Sequence, residues 1–222
     1  MIRNGELQAS QRIDEAALTE MLGISRTPLR EALKVLVAEG LLRIEPRHGC
    51  FVNELSTRDL NEIFPLIAML EGRCAYEAAR KASDADIRRL APLHRRLREL
   101  SERGDTDQYY ETNAKIHKAI QTLADNHWLS GLADNLRQVI SLSRHRSLSY
   151  PGRLADSCAE HLAIFAAIKA HDAERAESVA RDHLLHQLAV LNAMARLTHG
   201  EQSTADAAAV KAPAARRRTR SG

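Results

Sequence analysis

From residue 56 to residue 198 the apolar residues recur at the three-and-four spacing of an amphipathic helix, and nowhere do they alternate as a half-buried strand requires. A chain patterned this way has to bury one stripe of each helix against other helices, so this stretch reads as an all-α bundle. The periodic segments run over 57–81, 84–103, 106–124, 127–148, 152–170 and 172–198, which gives six or seven helices. Ser56 with Asp59, Ser83 with Asp86, and Asp105 or Thr106 are helix-start signals, and Gly104, Pro151 and Gly152 fall between segments.

Before residue 54 the pattern changes. Asp14 to Leu22 makes a short helix, Gly23 breaks it, and Ser25 stands where it caps a second helix reaching Glu39. Leu29, Ala32, Leu33, Leu36 and Val37 form an inward stripe on that second helix, which turns Thr27, Arg30 and Lys34 outward, with Arg26 in the first turn. Two guanidinium forks and a hydroxyl at a helix N-terminus suit base edges and phosphates in a major groove. Leu41–Glu45 and Cys50–Glu54 read as two short strands joined by Pro46, Arg47, His48 and Gly49, a wing whose basic tip suits a DNA backbone or minor groove. The fold class is therefore mainly α, a winged helix-turn-helix over 1–54 followed by a helical bundle over 55–199.

Charge separates a third region. The 222 residues carry a net charge of +3, and residues 201–222, with Lys211, Arg216, Arg217, Arg218 and Arg220 against Glu201 and Asp206, hold all of it. Residues 200–222 are rich in Ala, Arg and Ser without an apolar face and are expected to form a disordered basic tail. The neutral body means that any nucleic-acid surface in the winged helix comes from local placement of charge. Cys50, Cys74 and Cys158 are odd in number and lack CxxC spacing, which excludes a disulfide framework and a thiolate zinc site. No apolar run is long enough to span a bilayer and no signal-peptide pattern opens the chain, so a cytoplasmic protein without membrane contact is expected.

Of ten histidines, His94, His127, His145, His171, His186 and His199 read as exposed helix residues. Asn113 and His117 share a helix face at i, i+4 spacing, and His161 and His183 lie on two later helices. Convergence of these four on one divalent ion is chemically apt for zinc, nickel or manganese, and spacing alone leaves it open against satisfied core or surface histidines.

The string ISRTPLREALKVLVAEGLLRIEPRHGCFV, residues 24–52, resembles the winged helix of GntR-type transcription regulators. The resemblance implies that Arg26, Thr27 and Arg30 contact DNA from the recognition helix and that His48 and Gly49 form the wing tip, next to the basic Arg47 already placed there. Ala16 stands where some branches carry a basic contact, and Glu45 places a negative charge near the wing. Residues 57–198 resemble the FCD effector-binding domain of the FadR subfamily through Asn113-Ala-Lys-Ile-His117, Glu160-His161, His183-Leu184, Leu70-Glu71 and His171-Asp172. That resemblance implies a divalent metal held by Asn113, His117, His161 and His183, and a small carboxylate effector. Arg144, Arg146 and Arg153, grouped around a helix end, are the candidate effector-binding residues.

These readings lead to a ligand-responsive regulator, a repressor working as a homodimer on a palindromic double-stranded operator. The alternative from another class is a helical metalloenzyme acting on a small carboxylate with an incidental winged helix. Glu160 neighbours His161 but points about 100° away along the helix, a poor position for a catalytic acid or base. A winged helix that binds protein instead of DNA predicts apolar or acidic residues where Arg26 and Arg30 stand. Met1 to Leu7 supplies at most about two turns for the first helix of a winged helix. The chain as given is therefore expected to start late and to leave Leu18, Leu22 and Leu33 exposed.

Overall fold

The computed structural model describes residue 1 and residues 6–210, with the side chains of 142, 144–146 and 198–210 excepted. The expectation of a shortened first helix falls partly on residues 2–5, outside the described residues. The described part begins with α1 (Glu15–Leu22) and α2 (Arg26–Ala38), followed by β1 (Leu42–Glu45) and β2 (Gly49–Val52). The hairpin is antiparallel, pairing Leu42 with Val52 and Glu45 with Gly49, and Arg12 adds a single bridge to Phe51. Asp14 caps α1 by accepting from the amides of Ala16 and Ala17, and Gly23, at φ 64°, ends it in the left-handed conformation that an unbranched Cα tolerates. Ser25 holds the N-cap position of α2 in extended backbone without a side-chain cap bond.

Leu18, Leu29 and Leu33 are buried with Ile13, Leu42 and Val52 in the core of this module, while Leu22 is half exposed. The expected exposure therefore holds for Leu22 and is corrected for Leu18 and Leu33, which the hairpin and the opposing helix cover. Ala32, expected inward, is exposed at the edge of an apolar cavity of about 370 Å³ that Leu22, Leu29, Leu33 and Leu36 also line.

Six helices follow: α3 (Thr57–Lys81), α4 (Asp84–Arg103), α5 (Thr106–Leu123), α6 (His127–Leu148), α7 (Arg153–Lys169) and α8 (Ala173–Val210). Ser56 with Asp59 and Ser83 with Asp86 form complete capping boxes, each serine accepting from the aspartate's amide while the carboxylate takes the serine's amide. Asp105 accepts from the Gln108 amide to start α5. The reading that ended the last helix at 198 is corrected, because α8 continues to Val210 through Ala205, Ala207, Ala208 and Ala209, all strong helix formers. Residues 211–222, which carry the basic cluster of the expected tail, lie outside the described residues.

The bundle core has two parts. Ala75, Ala78, Leu97, Tyr109, Ile116, Ile164, Ile168 and Ala176 join α3, α4, α5, α7 and α8, and Phe64, Ile67, Ile140 and Leu184 join α3, α6 and α8. α3 packs closely along α8 at Gly72, where an added Cβ would stand 2.5 Å from Arg181 Cγ and 3.2 Å from the Glu177 carbonyl oxygen. The two domains meet at the end of α2. Gly40, at φ 74°, faces Val139 of α6, and the Asn53 amide donates to the Gly40 carbonyl at 2.9 Å. Among the described residues no helix is long and apolar enough to cross a membrane.

Candidate metal centre and nucleic-acid interface

Arg26, Thr27 and Arg30 are all exposed on the first turns of α2, as its inward stripe requires. Arg30 Nε donates to Glu15 Oε2 at 2.9 Å, so α1 steadies one of the two guanidinium groups with an acid. Arg26 and Arg30 border a concave polar surface together with Arg12 and Gly49. Arg12 was missed in the sequence. Its backbone is tied to β2, and its Nε lies 3.2 Å from where a Cβ on Gly49 would stand. The only advance signal was a basic residue two positions before a helix cap.

At the wing, Arg47 and His48 are exposed. The His48 amide donates to the Glu45 carbonyl at 3.1 Å, Arg47 is left-handed at φ 66°, and Gly49 has a φ of 112° that other residues rarely adopt. Glu45, the unfavourable charge near the tip, lies 3.2 Å from an Arg43 nitrogen and is partly neutralised. The structure thus brings Arg26, Thr27 and Arg30 onto one exposed helix end and sets Arg47, His48 and Gly49 at an exposed turn.

In the bundle, α5, α7 and α8 bring together His117, His161 and His183, all buried, with one ring nitrogen of each lying within 4.8 Å of the others. The ring centroids of His161 and His183 are 4.5 Å apart, and those of His117 and His161 are 4.8 Å apart. Asn113, one turn before His117, is buried, and its Oδ1 has no hydrogen-bond partner. An amide oxygen beside three imidazoles is a donor set for a divalent transition ion.

Two buried carboxylates stand behind these rings. Glu71 of α3 bonds His117 Nδ1 at 2.6 Å through Oε2 and accepts from the Arg137 guanidinium of α6 through Oε1. Burial alone would push the Glu71 carboxyl up, but Arg137 and His117 outweigh it and hold the carboxyl well below its usual range. Glu160 of α7 accepts from Arg153 in a fork at 3.0 and 2.8 Å, lies 2.6 Å from His183 Nδ1, and is 2.5 Å from His186 Nδ1. Burial again opposes the charge, and bonding to His183 and Arg153 lowers the Glu160 carboxyl to about 2.

The candidate effector arginines divide. Arg153 borders the site, only 1% exposed, but its fork is spent on Glu160, which displaces the expected open pairing with a ligand carboxylate. The side chains of Arg144 and Arg146 lie outside the described residues. Between α5, α6, α7 and α8 a polar void of about 10 Å³ is lined by Asn113, Ser147, Arg153, Ser157, His183 and Gln187. Its volume admits about one water molecule.

One histidine assigned to the exposed class lies elsewhere. His94 is 1% exposed, stacked on Phe165 at 4.3 Å, because the α4 face carrying it turns onto α7. His186 is exposed as expected, and its Nδ1 reaches Glu160. The side chains of His145 and His199 are outside the described residues.

Comparison with known proteins covers both halves of the chain. A family model described as the FCD domain matches residues 62–186, and one described as bacterial regulatory proteins, gntR family, matches residues 1–52. The chain is 29% identical over 190 residues to the HTH-type transcriptional regulator YdhC of Bacillus subtilis (strain 168), covering 84% of each. To the HTH-type transcriptional repressor RspR of Escherichia coli (strain K12) it is 24% identical over 172 residues, covering 78% of this chain and 75% of the relative. The solved structure of E. coli McbR/YncC superposes with a TM-score of 0.78 at 26% identity, covering 87% of this chain and 92% of that one.

Proposed function

Because the chain belongs to the gntR family of bacterial regulatory proteins and carries an FCD domain, we propose that it is a cytoplasmic repressor whose helical domain senses a small carboxylate through a divalent metal. That it is a DNA-binding transcription regulator and not an enzyme follows from the family and its relatives. The metalloenzyme reading finds no support at the site either, because both acids beside the histidines are taken up, Glu71 by Arg137 and His117 and Glu160 by Arg153, His183 and His186.

The observation that carries the metal reading is the convergence of His117, His161 and His183, with the buried Asn113 oxygen, one helical turn from His117, lacking a hydrogen-bond partner. These four residues would hold the ion, whose identity stays with the class of zinc, nickel or manganese. When bound, it supplies a Lewis-acidic position for a carboxylate oxygen. With Arg153 neutralising Glu160, and with three neutral imidazoles and a neutral amide as ligands, the ion's charge is left uncompensated and the site favours an anionic effector.

At the other end, Arg26, Thr27 and Arg30 read base edges, and Arg47, His48 and Gly49 follow the backbone or the minor groove. One such module has too few base contacts for genomic selectivity, so a two-fold dimer on a palindromic operator is the working unit. Exposed Leu66 and Met69 on α3 and Trp128 and Leu132 on α6 are among the apolar groups available to a second copy. The name of RspR, a repressor, supports repression here.

The test is to sequence and footprint genomic DNA recovered with the purified protein, and then to titrate small carboxylates into the complex with and without added zinc. Discrete two-fold sites released by a carboxylate only when metal is present are the expected result. DNA binding indifferent to every carboxylate and to metal would overturn the sensing part.

A further inference from the structure

Two of the three clustered histidines are each backed by a carboxylate, and each carboxylate by an arginine. Arg137, Glu71 and His117 form one such chain across α6, α3 and α5, and Arg153, Glu160 and His183 form the other across α7 and α8. Glu71, Arg137 and Arg153 are more than nine-tenths buried. Plain structural ion pairs do not require both carboxylates to end on the Nδ1 atoms of clustered histidines, and both do, at 2.6 Å.

A neutral imidazole carries one N–H. Donated from Nδ1 to a carboxylate, that hydrogen leaves the lone pair on Nε2, the nitrogen at the other side of the ring. Resting on the metal reading above, we propose that Glu71 and Glu160 are positioning residues of the metal centre, which fix His117 and His183 as Nδ1–H tautomers and present their Nε2 atoms to the ion. The carboxylates also make both rings stronger donors. Arg137 and Arg153 hold the carboxylates in register and neutralise them, so the centre gains orientation without gaining net negative charge. The bound ion then keeps its full charge for an anionic ligand.

The experiment uses metal-free full-length protein with ¹⁵N-labelled histidine. Long-range ¹H–¹⁵N correlation reports each tautomer, and Zn²⁺ competition against a chromophoric chelator reports affinity. Wild type is expected to show Nδ1–H at His117 and His183 and to bind Zn²⁺, while Glu71→Gln and Glu160→Gln lose about 10- to 100-fold in affinity and shift the matching ring toward Nε2–H. Because Glu71→Gln leaves Arg137 uncompensated, Glu71→Gln with Arg137→Met is measured beside it and is expected to lose affinity while remaining folded. Leu97→Ala, a core change away from the site, should lower stability and leave Zn²⁺ affinity unchanged. Zn²⁺ binding by wild type with all the glutamine variants within threefold, or Nε2–H tautomers in wild type, overturns the positioning role and leaves the metal reading standing. No Zn²⁺ uptake by wild type overturns both, and the wild-type titration alone reveals that case.

Discussion

Removing Arg137 tests the energetics of the site most directly. Its guanidinium is the only full positive charge bonded to Glu71 among the described contacts, and both side chains are less than a tenth exposed. In Arg137→Met the buried Glu71 carboxylate is left with His117 as its partner, and its charge loses the guanidinium that compensates it. Breaking one half of a buried pair costs about 3–5 kcal/mol, which for a chain of this size lowers the melting temperature by roughly 6–20 °C. Removing both charges, as in Glu71→Leu with Arg137→Met, also removes the desolvation cost and should leave stability within about 2 kcal/mol of wild type. Urea unfolding of wild type, Arg137→Met, Glu71→Leu and the double variant at equal concentration and pH 7.5 gives the coupling directly.

The pH dependence has a definite sign. Glu71 is held below its ordinary value of 4.5 in the folded protein, so its contribution is present above pH 4.5 and is lost as pH falls toward the depressed folded value. The gap between wild type and Arg137→Met therefore narrows in acid. A single variant costing under about 1 kcal/mol, or a double variant costing the sum of the singles, would refute the assignment of a coupled buried pair.

Arg26→Ala or Arg30→Ala should weaken specific DNA binding by about 1–3 kcal/mol in gel-shift titration without lowering the melting temperature, and unchanged affinity in both would remove α2 as the reading helix. His94 is held down to about 4 by burial, so stability should fall as pH drops from about 6.5 toward 4, by up to about 3 kcal/mol. His94→Phe should flatten that slope when urea unfolding is compared at pH 7.5 and 5. Gly72→Ala should destabilise by about 1–2 kcal/mol despite the better helix propensity of alanine, because the new methyl meets Arg181 and the Glu177 carbonyl. Arg181→Ala in the same chain should restore most of the loss.

The helix starts were legible because capping is local. Ser56, Ser83 and Asp105 each find their partner within three residues, and the structure keeps all three caps. The metal candidates were legible only as residue types, since convergence of α5, α7 and α8 depends on helix packing that no spacing encodes. Glu71, Arg137 and Arg153 were missed as supporting residues, although a signal existed. Each charge interrupts a buried face: Glu71 falls between Ala68 and Ala75, Arg137 between Ala133 and Ile140, and Arg153 a turn before Ser157 and His161. A charge on a core stripe demands a buried partner, but the partner's identity lies on another helix and is invisible in one dimension. His94 was misplaced for a related reason, because imidazole is compatible with either side of an amphipathic helix and only the packing of α4 on α7 decides.

The void beside His183 is too small for even the smallest organic acid. On the reading proposed above, a carboxylate entering there would have to part α6 from α7 and α8, and part of its binding free energy would become mechanical work on the bundle. Its measured affinity is then a reading of helix stiffness as much as of chemical fit. A softer bundle would bind the acid more tightly and transmit less of that work to Val139 and Gly40, where α6 meets the winged helix. Sensitivity and signal would be opposed, and the tightness of the packing around one water-sized space would set the balance between them.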